Sequence, residues 1–387
     1  MVKLTVLAGG FSTFISTYVF DSDAGSLNLV KDTTTGGNPS WITLHPQNSS
    51  ILYAVNENPT GALQSFTVGQ DGALTLVDTV NTGGNGPTFT AVLSTGEVTG
   101  LNFGSASMAI VPTDPNDPLK FVDSPNNLVS FPVPSNPHMS LEHKGEVFIP
   151  DLGGDKIWRL KKNGSKFAVQ GKIDFPLGNG PRHIAIKDEI LFTVHETSSR
   201  LTAQTIPTGA SGSTPLIANV STVPPPPSPG FNGSFFAAEI LISESTTAFP
   251  DSYIYVSNRN LGPDLDPKGD TIAIFQYKNS SSTTEATAGG DQAAAMRRNA
   301  HSRVFSRRQT DATSQGQLVL IAQIPTGLNQ IRSMALGSVK DGGDEFLIAG
   351  ANTQGGVAVF KRTDGGKNLE LVTRNTDHQN RTSFVFL

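Results

Sequence analysis

The chain contains no cysteine. That excludes disulfide staples, thiolate nucleophiles and Cys-ligated zinc, and it leaves the compartment open. Charge is scarce as well: Asp, Glu, Lys and Arg make up 16% of the 387 residues, and the net charge is −5. A weakly acidic chain of this kind gives no reason to expect a nucleic-acid partner. No apolar run approaches the roughly 18 residues that a membrane helix needs, so no membrane span is expected. Nor does any stretch compete as an amphipathic helix with a 3.6-residue period.

What is plentiful is turn chemistry, with 39 Gly and 25 Pro. The polar residues are mainly Ser, Thr and Asn, and the apolar fraction is a modest 37%. This composition suits a turn-rich, all-β protein. Seven short apolar runs each close on a segment holding a polar or small residue: "LTVLAGG" (4–10), "ILYAVNE" (51–57), "EVTGLNF" (97–103), "VFIPDL" (147–152), "LFTVHE" (191–196), "IYVSNR" (254–259) and "FLIAGAN" (346–352). Most are preceded by another apolar run, such as "WITLHP", "FTAVLS" or "HIAIKD", and most are followed by a third, such as "KIWRLK" or "TIAIFQY".

Where loops are short the spacing is regular. Asn56 to Asn102 is 46 residues, Asn102 to Asp151 is 49, and Asp151 to His195 is 44. A period of about 40–50 residues with three or four strands per unit is the signature of a β-propeller blade. Seven units predict a single seven-bladed β-propeller over residues 1–387; an all-β sandwich or solenoid is the alternative. The final run "TSFVFL" (382–387) has no strand after it. It is expected to pair in the blade begun by "KLTVLAGG", joining the two chain ends and removing the edges of an open ring.

Two stretches break the spacing. Residues 278–316, rich in Ser, Thr, Ala and Gly and then dense in arginine (Arg297, Arg298, Arg303, Arg307, Arg308), read as a disordered insertion within one blade. "PPPPSPGFNGSFFAAE" (224–239) reads as an extended proline-rich connector. The N-terminal "MVKLTVLAGGFSTFISTYVFD" reads as strand, turn and strand rather than as a signal peptide. Six N-x-Ser/Thr sequons, at Asn48, Asn163, Asn219, Asn232, Asn279 and Asn380, lean toward an extracellular protein with a trimmed signal; a cytoplasmic one is the alternative.

The repeat also defines a site. Before each innermost strand comes a turn: "NPSW" (38–41), "GPTF" (86–89), "NPHM" (136–139), "GPRH" (180–183), "FAAE" (236–239) and "NQIR" (329–332). Proline suits a strand's first residue, where no ladder donor is required, so this punctuation is structural. The column behind it is not uniform, reading Ser40, Thr88, His138, Arg182, Ala238 and Arg332. Strands within a blade run antiparallel, so the start of the first strand and the end of the second lie on one face. That second column reads Glu57, Phe103, Leu152, Glu196, Arg259 and Asn352. Both columns should meet at one mouth of the central channel, gathering His138, Arg182, His183, Glu196, Arg259 and Arg332, with Glu57 and Glu239 nearby; His183, Glu57 and Glu239 are expected to join the arginines in contacting the ligand.

Three arginines around one axial pocket call for a small anionic ligand, because guanidinium binds carboxylate or phosphate in a fork and stays charged. The imidazoles and carboxylates are candidate proton-transfer groups. The alternative is that the arginines pair only with Glu57, Glu196 and Glu239 and plug the channel. Asp151 and Asp155 of "DLGGDK" read as turn formers. His45, His143, His301 and His378 show no metal-ligand spacing and read as loop residues.

The segments "LYAVNE", "NPHMSL…VFIPDLGGDKIWRL", "GNGPRHIAI…LFTVHE", "AEILIS…IYVSNR…DTIAIF" and "FLIAGANTQGGVAVFKR" span nearly the whole chain. They resemble, in order, the lactonase/carboxymuconate-cyclase family of seven-bladed propellers. The resemblance implies no metal and no organic cofactor. For the cyclases it implies a His, two Arg and a Glu around the channel, which fall on His138 in "NPHMS", Arg182 in "GPRH", Glu196 in "VHE" and Arg259 in "SNR". It implies a cycloisomerase interconverting 3-carboxy-cis,cis-muconate and its lactone, with arginines on the carboxylates and His138 or Glu196 moving the proton. Its alternative is a 6-phosphogluconolactonase-like hydrolase, and beyond that a non-catalytic secreted propeller that binds anions or partners. Two departures stand out: the family's "PR" before the last blade is "IR" here, and "SNR" is followed by an extra "NLGPDLDPKG" (260–269).

Overall fold

The apolar runs are rich in β-branched and aromatic residues and are cut by Gly, Pro, Asn and Asp, the combination that favours short strands joined by tight turns. The computed structural model describes residues 2–122, 128–279 and 316–387. Seven antiparallel sheets succeed one another along the chain. The first holds β1 (Lys3–Gly10), β2 (Phe14–Asp21) and β3 (Ser26–Thr34). The second is β4 (Ile42–His45), β5 (Asn48–Asn56), β6 (Ala62–Val68) and β7 (Leu74–Asn81). The third pairs β8 (Val98–Asn102), β9 (Ser107–Val111) and β12 (Leu128–Ser130), with the hairpin β10 (Thr113–Asp114) and β11 (Asp117–Phe121) inserted.

The remaining four each have four strands. They are β13 (Leu141–His143) with β14 (Glu146–Asp151), β15 (Lys156–Asn163) and β16 (Lys166–Asp174); β17 (Pro181–Lys187) with β18 (Ile190–His195), β19 (Arg200–Thr205) and β20 (Ala218–Ser221); β21 (Phe235–Ile242) with β22 (Ile254–Asn260), β23 (Thr271–Lys278) and β24 (Gln317–Pro325); and β25 (Ile331–Leu336) with β26 (Phe346–Ala351), β27 (Val357–Thr363) and β28 (Asn368–Asn375). The last strand, β29 (Arg381–Phe386), pairs antiparallel with β1, Leu7 opposite Val385. It occupies the innermost position of the first blade, so both chain ends build one sheet, as the terminal run predicts.

Burial follows the ring. Seven apolar clusters form among the described residues, one at each junction between neighbouring blades. In β1, Leu4, Val6 and Ala8 pack toward the seventh blade, while Leu7 packs toward the second. In the sixth blade, Tyr253 and Tyr255 face the seventh, while Ile254 and Val256 face the fifth. The middle strands are thus buried on both faces. That is why they read as continuous apolar runs rather than as alternating ones.

The expected inner strand "FTAVLS" (89–94) of the third blade is not a regular strand. It is tied to β8 through the isolated bridges Pro87↔Asn102 and Val92↔Val98. There the Thr99 side-chain oxygen accepts from the Ala91 N–H at 3.0 Å, so a side chain intrudes on the backbone ladder. The expected insertion joins β23 to β24, neighbours in one sheet; its residues 280–315, and with them the arginine cluster and His301, lie outside the described residues. No helix among the described residues is long and apolar enough to cross a membrane.

Candidate active site

The turns before the inner strands place the site. Asn38, Gly86, Gly180, Gln330 and Asn380 all have a left-handed backbone, with φ of 53°, 61°, 62°, 62° and 60°. Each lies two residues before a member of the first column: Ser40, Thr88, Arg182, Arg332 and, in the blade closed by the chain ends, Thr382. Glycine and asparagine adopt this conformation at least cost, which explains the punctuation of "NPSW", "GPTF" and "GPRH"; Asn136 of "NPHM" is not left-handed. At Gly180 a Cβ would also lie 2.3 Å from Thr197 Oγ1, so no side chain fits.

The next device is a bulge. Pro181 pairs with His195 but His183 pairs with Val194, so Arg182 is an extra residue in β17. Register shifts of the same kind lie between Ala237 and Ile240 and between Ile331 and Met334. A bulge breaks the alternation of side chains across a strand and re-aims them. It lets the consecutive residues Arg182 and His183 both serve the axial region.

Buried aspartates hold three of these turns. Asp155, just ahead of β15, accepts from the N–H groups of Gly178 and Gly180 at 2.8 and 2.7 Å. Asp270, just ahead of β23, accepts from Gln330 and Asn260 at 2.5 and 3.1 Å. Asp151 accepts from Asn136 N–H, Gly154 N–H, Ser135 Oγ and Trp158 Nε1 at 2.7 to 2.9 Å. The structure therefore fixes the lead-in to Arg182, Arg332 and His138 by charge-assisted hydrogen bonds. Asp151 and Asp155 are turn formers, as read.

Phe11, Ser40, Trp41, Glu57, Thr88, His138, Arg182, Arg332 and Thr382 enclose one cavity. About 20 Å³ of it is wide enough for a water molecule, room for about one. Beside this wall the partly exposed Glu196 carboxylate meets two buried arginines, its Oε2 lying 2.9 Å from Arg182 Nε and 2.6 Å from Arg259 Nη2. Both are close charge contacts to one carboxylate oxygen. Arg182 Nη1 donates to Ala238 O at 2.8 Å. The Arg332 guanidinium lies over the Phe11 ring, 5.2 Å from its centroid, and its buried Nε has no hydrogen-bond partner.

Deeper still, His183 Nδ1 is 2.8 Å from Glu239 Oε1 and His183 Nε2 is 3.2 Å from His138 Nδ1. His183 is fully buried, with Trp41 and Phe89 edge-on to its ring at centroid distances of 5.3 and 5.8 Å. Phe103 stands edge-on to His138 at 5.8 Å.

These surroundings set the charges. Burial, and then the Arg182 guanidinium, hold the His138 imidazole well below its usual range, so it is neutral at neutral pH. Burial lowers His183 as well, against the opposing pull of Glu239. Burial alone would raise Glu196, but Arg259 and Arg182 hold its carboxyl below the usual value. At Glu57 burial wins and pushes the carboxyl up, despite Arg332 and Arg182. Burial, then the like charge of Arg259, brings Arg182 down to about 9, still a cation at neutral pH. Three guanidiniums thus face two carboxylates, one of which resists ionisation. The cavity carries a cationic wall beside a neutral imidazole, an arrangement that can hold an anion and remove a proton.

All eight residues singled out from the sequence lie in this one region, at different depths. His138, Arg182, Arg332 and Glu57 line the cavity; Glu196 and Arg259 form the ion-paired layer. His183 and Glu239, expected among the ligand contacts, stand behind His138: both His183 nitrogens are engaged, and Glu239 is 4% exposed. The plugged-channel alternative has a partial counterpart in the Glu196 contacts, but among the described residues Arg332 has no carboxylate within salt-bridge distance. Among the described residues no group of three or more His, Asp or Glu is placed to hold a metal ion. His45 and His143 lie at strand ends rather than in loops, and His378 pairs with Asp32.

Sequence reading missed Phe11, Thr382, Trp41 and Phe89. The first two come from the blade built by both chain ends, where the repeat is split; "NRTS" (380–383) does echo "NPHM" (136–139). Trp41 and Phe89 directly follow column residues and look like core.

A family model described as "Lactonase, 7-bladed beta-propeller" matches residues 5–292. Among curated proteins, a 6-phosphogluconolactonase of Bacillus subtilis (strain 168) is 24% identical over 281 residues, 69% of this chain and 74% of that one. Among solved structures, a protein from Lactobacillus plantarum superposes with a TM-score of 0.75 at 20% identity, covering 100% of this chain and 99% of its own. The periplasmic gluconolactonase of Pseudomonas aeruginosa does so with a TM-score of 0.75 at 18% identity, with the same coverage. At these identities the structural likeness shows the fold.

Proposed function

The chain belongs to the lactonase seven-bladed β-propeller family, and on that premise we propose that it hydrolyses a small anionic lactone, with a phosphorylated sugar lactone as the first candidate. The observation that carries the reading is His138 on the wall of a cavity it shares with Arg182 and Arg332. The names of two relatives, a 6-phosphogluconolactonase and a gluconolactonase, support the choice of lactone.

In this reading the guanidiniums hold the phosphate or carboxylate and orient the ring. The free imidazole nitrogen of His138 takes a proton from water as its oxygen adds to the lactone carbonyl carbon. The negative charge on the carbonyl oxygen develops close to the cationic wall, which stabilises it. The ring C–O bond then breaks, and the leaving oxygen recovers the proton from His138.

The test is acid release from 6-phosphogluconolactone above its spontaneous rate. Hydrolysis by the intact chain, lost in His138→Ala with binding retained, is the expected result. Full turnover by His138→Ala would remove the imidazole from the mechanism.

A second reading rests on one contact pattern: Arg182 and Arg259 already converge on a single carboxylate, that of Glu196. They could do the same for a carboxylate of 3-carboxy-cis,cis-muconate in a cycloisomerase. Loss of conjugated ultraviolet absorbance with that substrate, and no acid release from sugar lactones, would favour it. Silence in both assays would leave an anion-binding propeller.

A further inference from the structure

We infer that Glu239 and His183 form a relay that fixes the tautomer of His138 and leaves its Nε2 unprotonated; the inference deepens the reading of His138 as base. The chemistry is one of elimination along a chain of contacts. An ionised carboxylate only accepts hydrogen bonds. Glu239 Oε1 lies 2.8 Å from His183 Nδ1, so that nitrogen carries the hydrogen. The same oxygen also accepts from the Ile240 N–H at 3.0 Å, which pins the carboxylate in place. A neutral His183 then has only a lone pair at Nε2. That lone pair, 3.2 Å from His138 Nδ1, takes a hydrogen bond from it. With its hydrogen on Nδ1, neutral His138 keeps a lone pair on Nε2, the other side of a ring that lines the cavity.

The geometry leaves little freedom for any other arrangement. Trp41 and Phe89 stand edge-on to the His183 ring, and the ring is fully buried. Phe103 stands edge-on to His138. The logic is that of a carboxylate orienting a catalytic imidazole, lengthened by one ring. Glu239 and His183 are positioning residues: neither lines the cavity, and their effect reaches the reaction through the His138 ring.

Nitrogen NMR of the full chain labelled at histidine tests this, with the His138 signals assigned by their loss in His138→Gln. The expected spectrum has hydrogen on Nδ1 of both His138 and His183, and a bare Nε2 on His138. In His183→Phe the aromatic slot stays filled but the acceptor is gone. His138 then shifts to a mixture with hydrogen on Nε2, and kcat falls by about 10²-fold with KM nearly unchanged. Glu239→Gln keeps an acceptor for His183 but removes the charge. It should preserve the tautomer while lowering kcat less than His183→Phe does, and it covers the case in which the phenylalanine variant fails to fold. Hydrogen on Nε2 of His138 in the intact chain would overturn the relay. So would an unchanged His138 spectrum in a folded His183→Phe. The tautomer is read without substrate, so a chain that hydrolyses no lactone leaves this result standing and refutes the hydrolase reading instead.

Discussion

The mouth of the channel divides into two arcs built by the same backbone. In one, the blades led by Thr382, Ser40 and Thr88 contribute small neutral side chains and the Glu57 carboxyl, backed by Phe11, Trp41 and Phe89. In the other, His138, Arg182 and Arg332 occupy three of the four matching positions and Ala238 the fourth, with Glu196 and Arg259 beside them. The left-handed lead-in is common to both arcs, since Asn38 and Gly86 share it with Gly180 and Gln330. The way the turns are held differs. On the charged arc, buried Asp151, Asp155 and Asp270 accept the N–H groups of Asn136, Gly180 and Gln330. On the neutral arc, amide and hydroxyl side chains do comparable work: Asn58 donates to Gly37 O, and Ser105 Oγ accepts from Asn85 N–H. Repetition supplies the frame, and departures from it supply the site. Carboxylates appear where an aimed cation or imidazole follows.

The comparison can be broken most severely at Asp151. Its carboxylate serves four buried or half-buried donors, and Asp151→Ala would strand them. A loss of about 3–5 kcal/mol is expected in urea unfolding, whereas Asn58→Ala on the neutral arc should cost about 1 kcal/mol.

Arg182→Gln comes next. Removing a charged donor from the anion site should lower kcat/KM by about 10–100-fold, the equivalent of about 1.5–3 kcal/mol. Thr88→Ala, at the matching position on the neutral arc, should change it less than about 3-fold. Equal losses from the two would erase the distinction between the arcs.

Asp270 gives a pH signature. Burial pushes its carboxyl up to about 6, above an unfolded value of about 4. Between those values the native state keeps a proton that the unfolded chain has released. Stability from this group is therefore present below pH ~4, falls as pH rises through ~6, and is level above that, with a total change of about 1–3 kcal/mol. Urea titrations from pH 4 to 7 should show that fall in the intact chain and its absence in Asp270→Asn. The smallest effect is expected at Phe11: Phe11→Leu removes the ring under Arg332 and should raise KM a few-fold, about 0.5–1 kcal/mol.

Most of this design is legible in the sequence because propeller blades repeat. The seven apolar runs give the blade count, and the polar residues flanking them fall into two columns that the structure brings to one mouth. Arg332 reaches the cavity although "NQIR" lacks the proline of "GPRH", because Gln330 adopts the turn conformation that Gly180 provides. Depth is what the columns do not encode. Arg182 and His183 are neighbours, yet one lines the cavity and the other stands behind it, a separation made by the bulge in β17. Phe11 and Thr382 escape notice because their blade is assembled from opposite ends of the chain. The clasp of Asp155 and Asp270 on the following blade's turn depends on inter-blade contact, which a linear repeat does not display.

Calorimetric titration with 6-phosphogluconate, the product of the proposed hydrolysis, tests the central claim most directly. The account predicts binding by the intact chain that weakens with added salt, is abolished in Arg182→Gln/Arg332→Gln, and is preserved in Ser40→Ala/Thr88→Ala. Binding that survives loss of both arginines, or that is lost equally from the neutral arc, would contradict it.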